Sequence, residues 1–129
     1  MKRILFTSLI TIISIGLYTQ SSSCVKFKNG VFKSTFNGIT IIVKRSGSNQ
    51  IEHAVNSKDT LSFIVKWIDD CSYTLTPTKG DLIKYPKMPK NTVLTVKMVS
   101  KSGNSYTQTT TTNFSNQIIT SEMIKLSDN

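Results

Sequence analysis

Histidine and tryptophan occur once each in this chain, cysteine twice, and acidic residues only seven times among 129 residues. A lone histidine, His53, with no cysteine pair beside it does not supply the three or four nitrogen and sulfur ligands of a zinc site. The doublet Asp69-Asp70 is not followed by the run of oxygen ligands that a calcium loop needs, and it reads as a turn. No Gly-x-Ser-x-Gly elbow and no phosphate-cradling glycine loop occurs. Hydrolysis by paired carboxylates needs two acids about 5 to 9 Å apart, and Glu52, Asp69 and Asp70 are the only suggestive set. No cofactor, metal or catalytic residue is therefore expected.

Long apolar runs are also missing, with one exception. Ile4 to Tyr18 carries no charge, follows Lys2 and Arg3, and precedes the small polar stretch Thr19 to Ser23. This is the order of a secretory signal peptide. The run is short for a membrane span, which takes about 20 residues. Residues 1–23 are expected to be removed on export, leaving 24–129 as a single domain with no transmembrane span. The destination is the periplasm, the cell surface or the medium. Cys24 opens a second route, lipidation after cleavage just before it, but Ser21 stands where that signal carries an apolar residue.

Two cysteines in an exported chain suggest a disulfide, and Cys24 and Cys71 are the only pair left after cleavage. Lipidation of Cys24 would instead leave Cys71 as a lone thiol. Removing Lys2 and Arg3 from the 16 basic residues leaves 14 against 7 acids, a net of +7. The lysines are scattered singly and Arg45 is the only arginine beyond the leader, so a clustered nucleic-acid face is not expected.

Helical periodicity is absent beyond the leader, while alternation is frequent among Thr, Val, Ile, Phe and Tyr. Val25–Lys28 alternates weakly. Val31–Phe36 places Phe32 and Phe36 on one face. Asn37-Gly38 is the strongest hairpin signal, because both central positions of a type I′ turn need positive φ. Ile39–Arg45 returns, Ser46–Asn49 turns, and Gln50–Val55 forms a third strand. Asn56–Asp59 turns into Leu61–Leu75, the densest pattern in the chain. There Leu61, Phe63, Val65 and Trp67 share a core face, and Ser62, Ile64, Lys66 and Ile68 the other. Asp69-Asp70 makes the corner before Cys71, Tyr73 and Leu75.

Pro77–Thr92 holds all three prolines and is the longest irregular connection, with a short helical turn expected near Asp81–Tyr85. Val93–Ser100, the threonine-rich Ser105–Thr112 and Gln117–Leu126 complete the strands. In the last, Ile118, Ile124 and Leu126 can share a face. The fold class is all-β: an antiparallel meander of about eight strands, nine if Val25–Lys28 is separate. It closes as a small, lipocalin-like barrel or stays a half-open clamp. Trp67, Phe63, Tyr73, Phe36 and Tyr106 either line a cavity or fill the core.

Three stretches carry a resemblance: Cys24-Val25-Lys26-Phe27-Lys28-Asn29-Gly30-Val31-Phe32, Gln50-Ile51-Glu52, and Lys66-Trp67-Ile68-Asp69-Asp70-Cys71-Ser72-Tyr73-Thr74-Leu75. Together they resemble a set of small exported proteins of Bacteroidota with a Cys…Trp-x-x-Asp-Cys-x-Tyr pattern. Its members are uncharacterised, and many carry the label of a DNA topoisomerase IV protein. Nothing here supports that label, since the chain is short, exported and without an ATP site. The resemblance favours the Cys24–Cys71 pairing, and Arg45, Gln50, Glu52, Trp67 and Asp70 match its polar and aromatic pattern.

The functional expectation is a non-enzymatic exported envelope protein that binds a small apolar ligand or a partner protein. A structural or interaction protein with a filled core is the alternative. A hydrolase or isomerase using Glu52, His53 or Asp70 is the third reading.

Overall fold

A computed structural model describes residues 23–129; the expected signal peptide lies, but for Ser23, outside the described residues. Eight antiparallel strands close into one barrel in chain order. They are β1 Gly30–Phe36, β2 Ile39–Ser46, β3 Asn49–Ala54, β4 Thr60–Asp69, β5 Ser72–Pro77, β6 Leu94–Ser100, β7 Ser105–Thr112 and β8 Ser115–Ser127. Closure comes from β1 pairing with β8, with Phe32 opposite Lys125 and Lys33 opposite Ile124. Among the described residues no strand edge is left unpaired, which is what a meander gains by closing rather than staying a clamp.

The turn chemistry set the register. Asn37 and Gly38 take φ of 50° and 76°, the left-handed pair that a type I′ hairpin requires. Asp69 Oδ1 accepts from the Cys71 amide at 2.9 Å, so the β4–β5 corner is stabilised by an aspartate bonding its own backbone. With register fixed, alternation decides which side chains point inward. Phe32, Val43, Phe63, Val65, Tyr73, Leu75, Val96, Met98, Tyr106 and Met123 form the buried core. Ile64 and Ile68, on the opposite face of β4, remain more than half exposed.

One segment differs from the sequence reading. Val25–Phe27 is a turn of 3-10 helix, called η1 here, and not a ninth strand. Its alternation is too short to hold a strand, and the Cys24–Cys71 disulfide pulls it under the barrel instead. Phe27 enters the barrel end and is fully buried, its ring 4.7 Å from that of Tyr106. Burying such a ring is worth about 1.5–3 kcal/mol. Lys26 Nζ donates to the Gly103 carbonyl at 2.6 Å, and Lys125 Nζ to the Lys26 carbonyl at 2.6 Å. These bonds close the end of the barrel where β2, β4, β6 and β8 finish.

The other end is crossed by the Pro77–Thr92 connection, which carries the expected helical turn as α1, Lys79–Lys84. Thr78 caps α1 by accepting from the Asp81 amide, and the buried Asp81 carboxylate accepts from the Ser62 amide on β4. Asn113 fixes the far end of the connection, donating to the Asn91 carbonyl at 2.6 Å and accepting from the Val93 amide at 3.0 Å. The threonine-rich segment is strand β7, as its β propensity implies. Ile118, Ile124 and Leu126 do share a face of β8, but it is the outer one, and all three are exposed. The inward face carries Ile119, Ser121 and Met123, because the β7–β8 register sets Met123 opposite the inward Tyr106 and Ser121 opposite Gln108. No helix among the described residues is long and apolar enough to cross a membrane.

Candidate functional site

Arg45 is the largest fully buried side chain and the centre of the barrel's polar cluster. It stands opposite Gln50 across the β2–β3 pair, and Gln50 and Glu52, two apart on β3, point the same way. That register builds a relay. Arg45 Nε donates to Gln50 Oε1 at 2.7 Å, and Gln50 Nε2 donates to Glu52 Oε1 at 2.7 Å. Arg45 Nη1 donates to the Phe27 carbonyl at 2.7 Å. Arg45 Nη2 donates to the Tyr73 hydroxyl at 2.7 Å and to the Tyr106 hydroxyl at 3.3 Å. The guanidinium also lies 4.8 Å from the centre of the Phe32 ring and 4.6 Å from that of Tyr73. A buried cation is tolerable only when its donors are used and a counter-charge is near. Here four donors are used, and Glu52 is the acid at the end of the chain of bonds.

The protonation states follow from burial. Glu52 is half-buried, with its free surface towards the barrel interior and mouth. Burial pushes its pKa up; the Gln50 hydrogen bond and the Arg45 charge pull the other way without cancelling it. Burial also raises the pKa of both phenols, against the pull of Arg45. Tyr73 and Tyr106 therefore keep their protons and serve Arg45 as neutral acceptors.

Above this polar floor the barrel is hollow. A lumen of about 220 Å³ is walled by Phe36, Ile41, Val43, Leu75, Leu94, Val96 and Ile119, with Ser34, Gln108, Thr110 and Ser121 among them. Gln108 Oε1 and Thr112 Oγ1 are buried without a hydrogen-bond partner among the described residues, an uncommon condition for polar atoms inside a protein. A second, larger cavity of about 620 Å³ lies at the open end, between the β3–β4 turn, Tyr85, Met88, Pro89 and Phe114. Ile41 and Glu52 line both cavities, so the carboxyl group stands where mouth and lumen meet.

Arg45, Gln50 and Glu52, three of the four residues expected as a candidate polar site with Asp70, come together. Asp70 does not join them. It lies in the β4–β5 turn at the closed end and pairs with Lys28 on the surface at 2.9 Å, because a turn residue after the end of β4 has no route into the barrel. His53 follows Glu52 on β3 and reaches only the mouth cavity, so Glu52, His53 and Asp70 do not form one set. Of the five aromatic candidates, Phe36 and Tyr73 line the lumen, whereas Tyr106 is buried in the Arg45 cluster. Phe63 is in the packed wall. Trp67 is half-buried against Tyr73 at 4.7 Å, near the closed end, with Lys28 over its outer ring face. Ser34, Gln108, Thr110 and Ser121 are lumen residues the sequence reading did not single out. Their signal is present in β7, where Tyr106, Gln108 and Thr110 are an alternating set with polar members on the Tyr106 side.

No family model, curated protein or solved structure matches this chain.

Proposed function

We propose that this is an exported, non-enzymatic binding protein of the cell envelope, whose barrel lumen takes a small, largely apolar ligand. The observation that carries this reading is the lumen itself. A barrel of eight strands is just wide enough for side chains to fill it or for one small ligand to be held. This one keeps about 220 Å³ open above a rigid polar floor. Small-molecule sites are concave and mostly apolar, with a few placed polar groups, and the lumen has that composition. The Cys24–Cys71 disulfide, with a sequence separation of 47, fits an oxidising compartment and agrees with the signal-like N-terminus. Kinship with the small exported Bacteroidota proteins belongs to the same proposal.

The test is native mass spectrometry of protein exported with its own leader. A small-molecule adduct is expected on the wild type and should be lost in Ser121→Leu, where the added side chain occupies the lumen. An adduct that survives Ser121→Leu unchanged, or none on the wild type, counts against the reading.

A further inference from the structure

The open end of the barrel has a surface chemistry of its own, independent of what the lumen holds. Four connections meet there: the β1–β2 turn, the β3–β4 turn, the Pro77–Thr92 connection and the β7–β8 turn. They carry five lysines, Lys58, Lys79, Lys84, Lys87 and Lys90, against two acids, Asp59 and Asp81. Asp59 pairs with Lys84 at 3.5 Å. Asp81 is buried and accepts from the Ser62 amide. Glu52 lies deeper, on β3, and is joined to Arg45 through Gln50. Lys58, Lys79, Lys87 and Lys90 are exposed and have no carboxylate partner among the described residues. The closed end differs, because Lys28, Lys101 and Lys125 there are paired with Asp70, Glu122 and Asp128. Clustered, unbalanced positive charge therefore surrounds the mouth.

Apolar side chains stand among these lysines. Phe36, Ile39, Val55, Ile83 and Phe114 all lie on or beside the open-end connections and are exposed, Val55 by 61% and Ile83 by 82%. Phe36 and Phe114 are the only exposed phenylalanines among the described residues. Val55 enters the turn that holds Lys58, and Ile83 adjoins Lys84. Exposed apolar groups gathered in one place and bordered by polar residues mark an interaction surface. These ones are spread over four connections around an opening, which fits a partner that can deform to meet them. Their interleaving with lysines fits a partner that is anionic at its surface and apolar beneath. A bilayer with anionic lipids has that layering, phosphates for the lysines and acyl chains for the rings. The geometry points to the open end as a docking surface for an anionic lipid bilayer, with the exposed apolar side chains at the acyl boundary and Lys58, Lys79, Lys87 and Lys90 on the phosphates. The mouth cavity beside Met88, Pro89 and Phe114 opens within this ring, so docking holds it against the acyl region.

The experiment uses the unreduced barrel domain, residues 24–129, whose closed sheet and disulfide are complete without the leader. It is titrated with vesicles of phosphatidylcholine alone and of phosphatidylcholine and phosphatidylglycerol in equal parts, and binding is read by co-sedimentation. Binding is expected to the mixed vesicles only, and should weaken as salt is raised. Lys87→Gln with Lys90→Gln should lower the partition coefficient about 25-fold, about fivefold for each lysine at an anionic surface. Lys44→Gln with Lys66→Gln removes the same charge from the outer barrel wall and should change it by no more than about twofold, because screening limits the reach of those charges. Phe114→Ser should lower it about fivefold or more. Phe114→Trp should add an emission that moves to the blue on mixed vesicles, while that of Trp67 near the closed end stays where it is in the wild type. Equal binding to the neutral vesicles, or an equal loss in the two lysine pairs, overturns the docking surface. Binding of dextran sulfate that depends on Lys87 and Lys90, with none to vesicles, assigns these lysines to a soluble polyanion and overturns it too. No binding to either vesicle has the same consequence and leaves the lumen-binding reading untouched.

Discussion

Replacing Arg45 by methionine should destabilise the barrel by an amount that grows with pH. Methionine fills a similar length without the charge or the donors. Its introduction leaves the Phe27 carbonyl, the Tyr73 and Tyr106 hydroxyls and Gln50 Oε1 without their donor, and leaves Glu52 as an acid with no counter-charge. Each buried group left unsatisfied costs about 1–3 kcal/mol, but rotating hydroxyls and water entering the lumen recover part of that. Breaking a fully buried charge pair from one side costs about 3–5 kcal/mol; Glu52 is half-buried and joined to Arg45 through Gln50, so the expected loss at neutral to alkaline pH is at the lower end, about 3 kcal/mol. The pH dependence has a definite sign. Glu52 already has a folded-state pKa raised by burial, and the Arg45 charge is one of the influences holding it down. Without Arg45 the folded value rises further. A carboxyl whose folded pKa lies above its unfolded value favours folding fully below the unfolded value, about 4.3, and loses that contribution as pH rises through the folded value. The variant loses more over that rise, so its deficit against wild type should be smallest near the unfolded glutamate value and largest in alkali. Urea unfolding of the oxidised protein, followed by Trp67 fluorescence at several pH values, measures it. A deficit under about 1 kcal/mol in alkali, or one that does not change with pH, would refute the account of Arg45 and Glu52 as charges coupled through Gln50.

Four further outcomes are expected. Replacing both Cys24 and Cys71 by serine removes a cross-link spanning 47 positions and should cost about 4 kcal/mol on the loop-entropy model; a midpoint shift in urea of a few tenths of a kcal/mol would show that η1 stays docked without it. Free-thiol titration of the unreduced protein should find none. Gly30→Ala should destabilise by about 1–3 kcal/mol, because φ is +142° there and an added Cβ would meet the Ser127 carbonyl oxygen at 2.7 Å; thermal unfolding checks it, and an unchanged midpoint counts against the β1–β8 seam as described. Glu52→Gln should gain stability relative to wild type as pH rises through the shifted Glu52 pKa, since the neutral amide has no proton to lose; parallel pH profiles for the two proteins would oppose the raised value.

Much of the fold was legible because local rules and global closure agree. Asn37-Gly38 and Asp69-Asp70 fixed two hairpins through turn chemistry alone, and period-two alternation assigned the inner face of β4 from Leu61 to Trp67. The register that brings Arg45 beside Gln50 needs only the short Gly47-Ser48 turn between β2 and β3. What alternation could not decide was which inward face would be filled. Phe63 and Phe36 are the same residue type on inward positions, yet one packs in the wall and the other borders open space. That difference depends on side chains from strands distant in sequence, such as Ser34 and Ser121, being too small to meet across the barrel. Asp70 is at the corner its doublet implies, between β4 and β5; only its grouping with Glu52 fails, because a match in residue type says nothing about the side of the wall on which a turn residue ends.

The plug formed by η1 gives the barrel a polarity as an object. With Phe27 and the disulfide sealing one end, a ligand of the proposed kind would have one doorway among the described residues, past Tyr85, Met88 and Phe114, and would have to back out the way it came. Cys24 sits at the sealed base, and the doorway faces the opposite direction. On the proposed reading, exchange of the lumen's contents would be governed by how tightly Asp81 and Asn113 hold the strap across that doorway. Loosening the strap should speed loading and unloading equally, without altering which molecules fit.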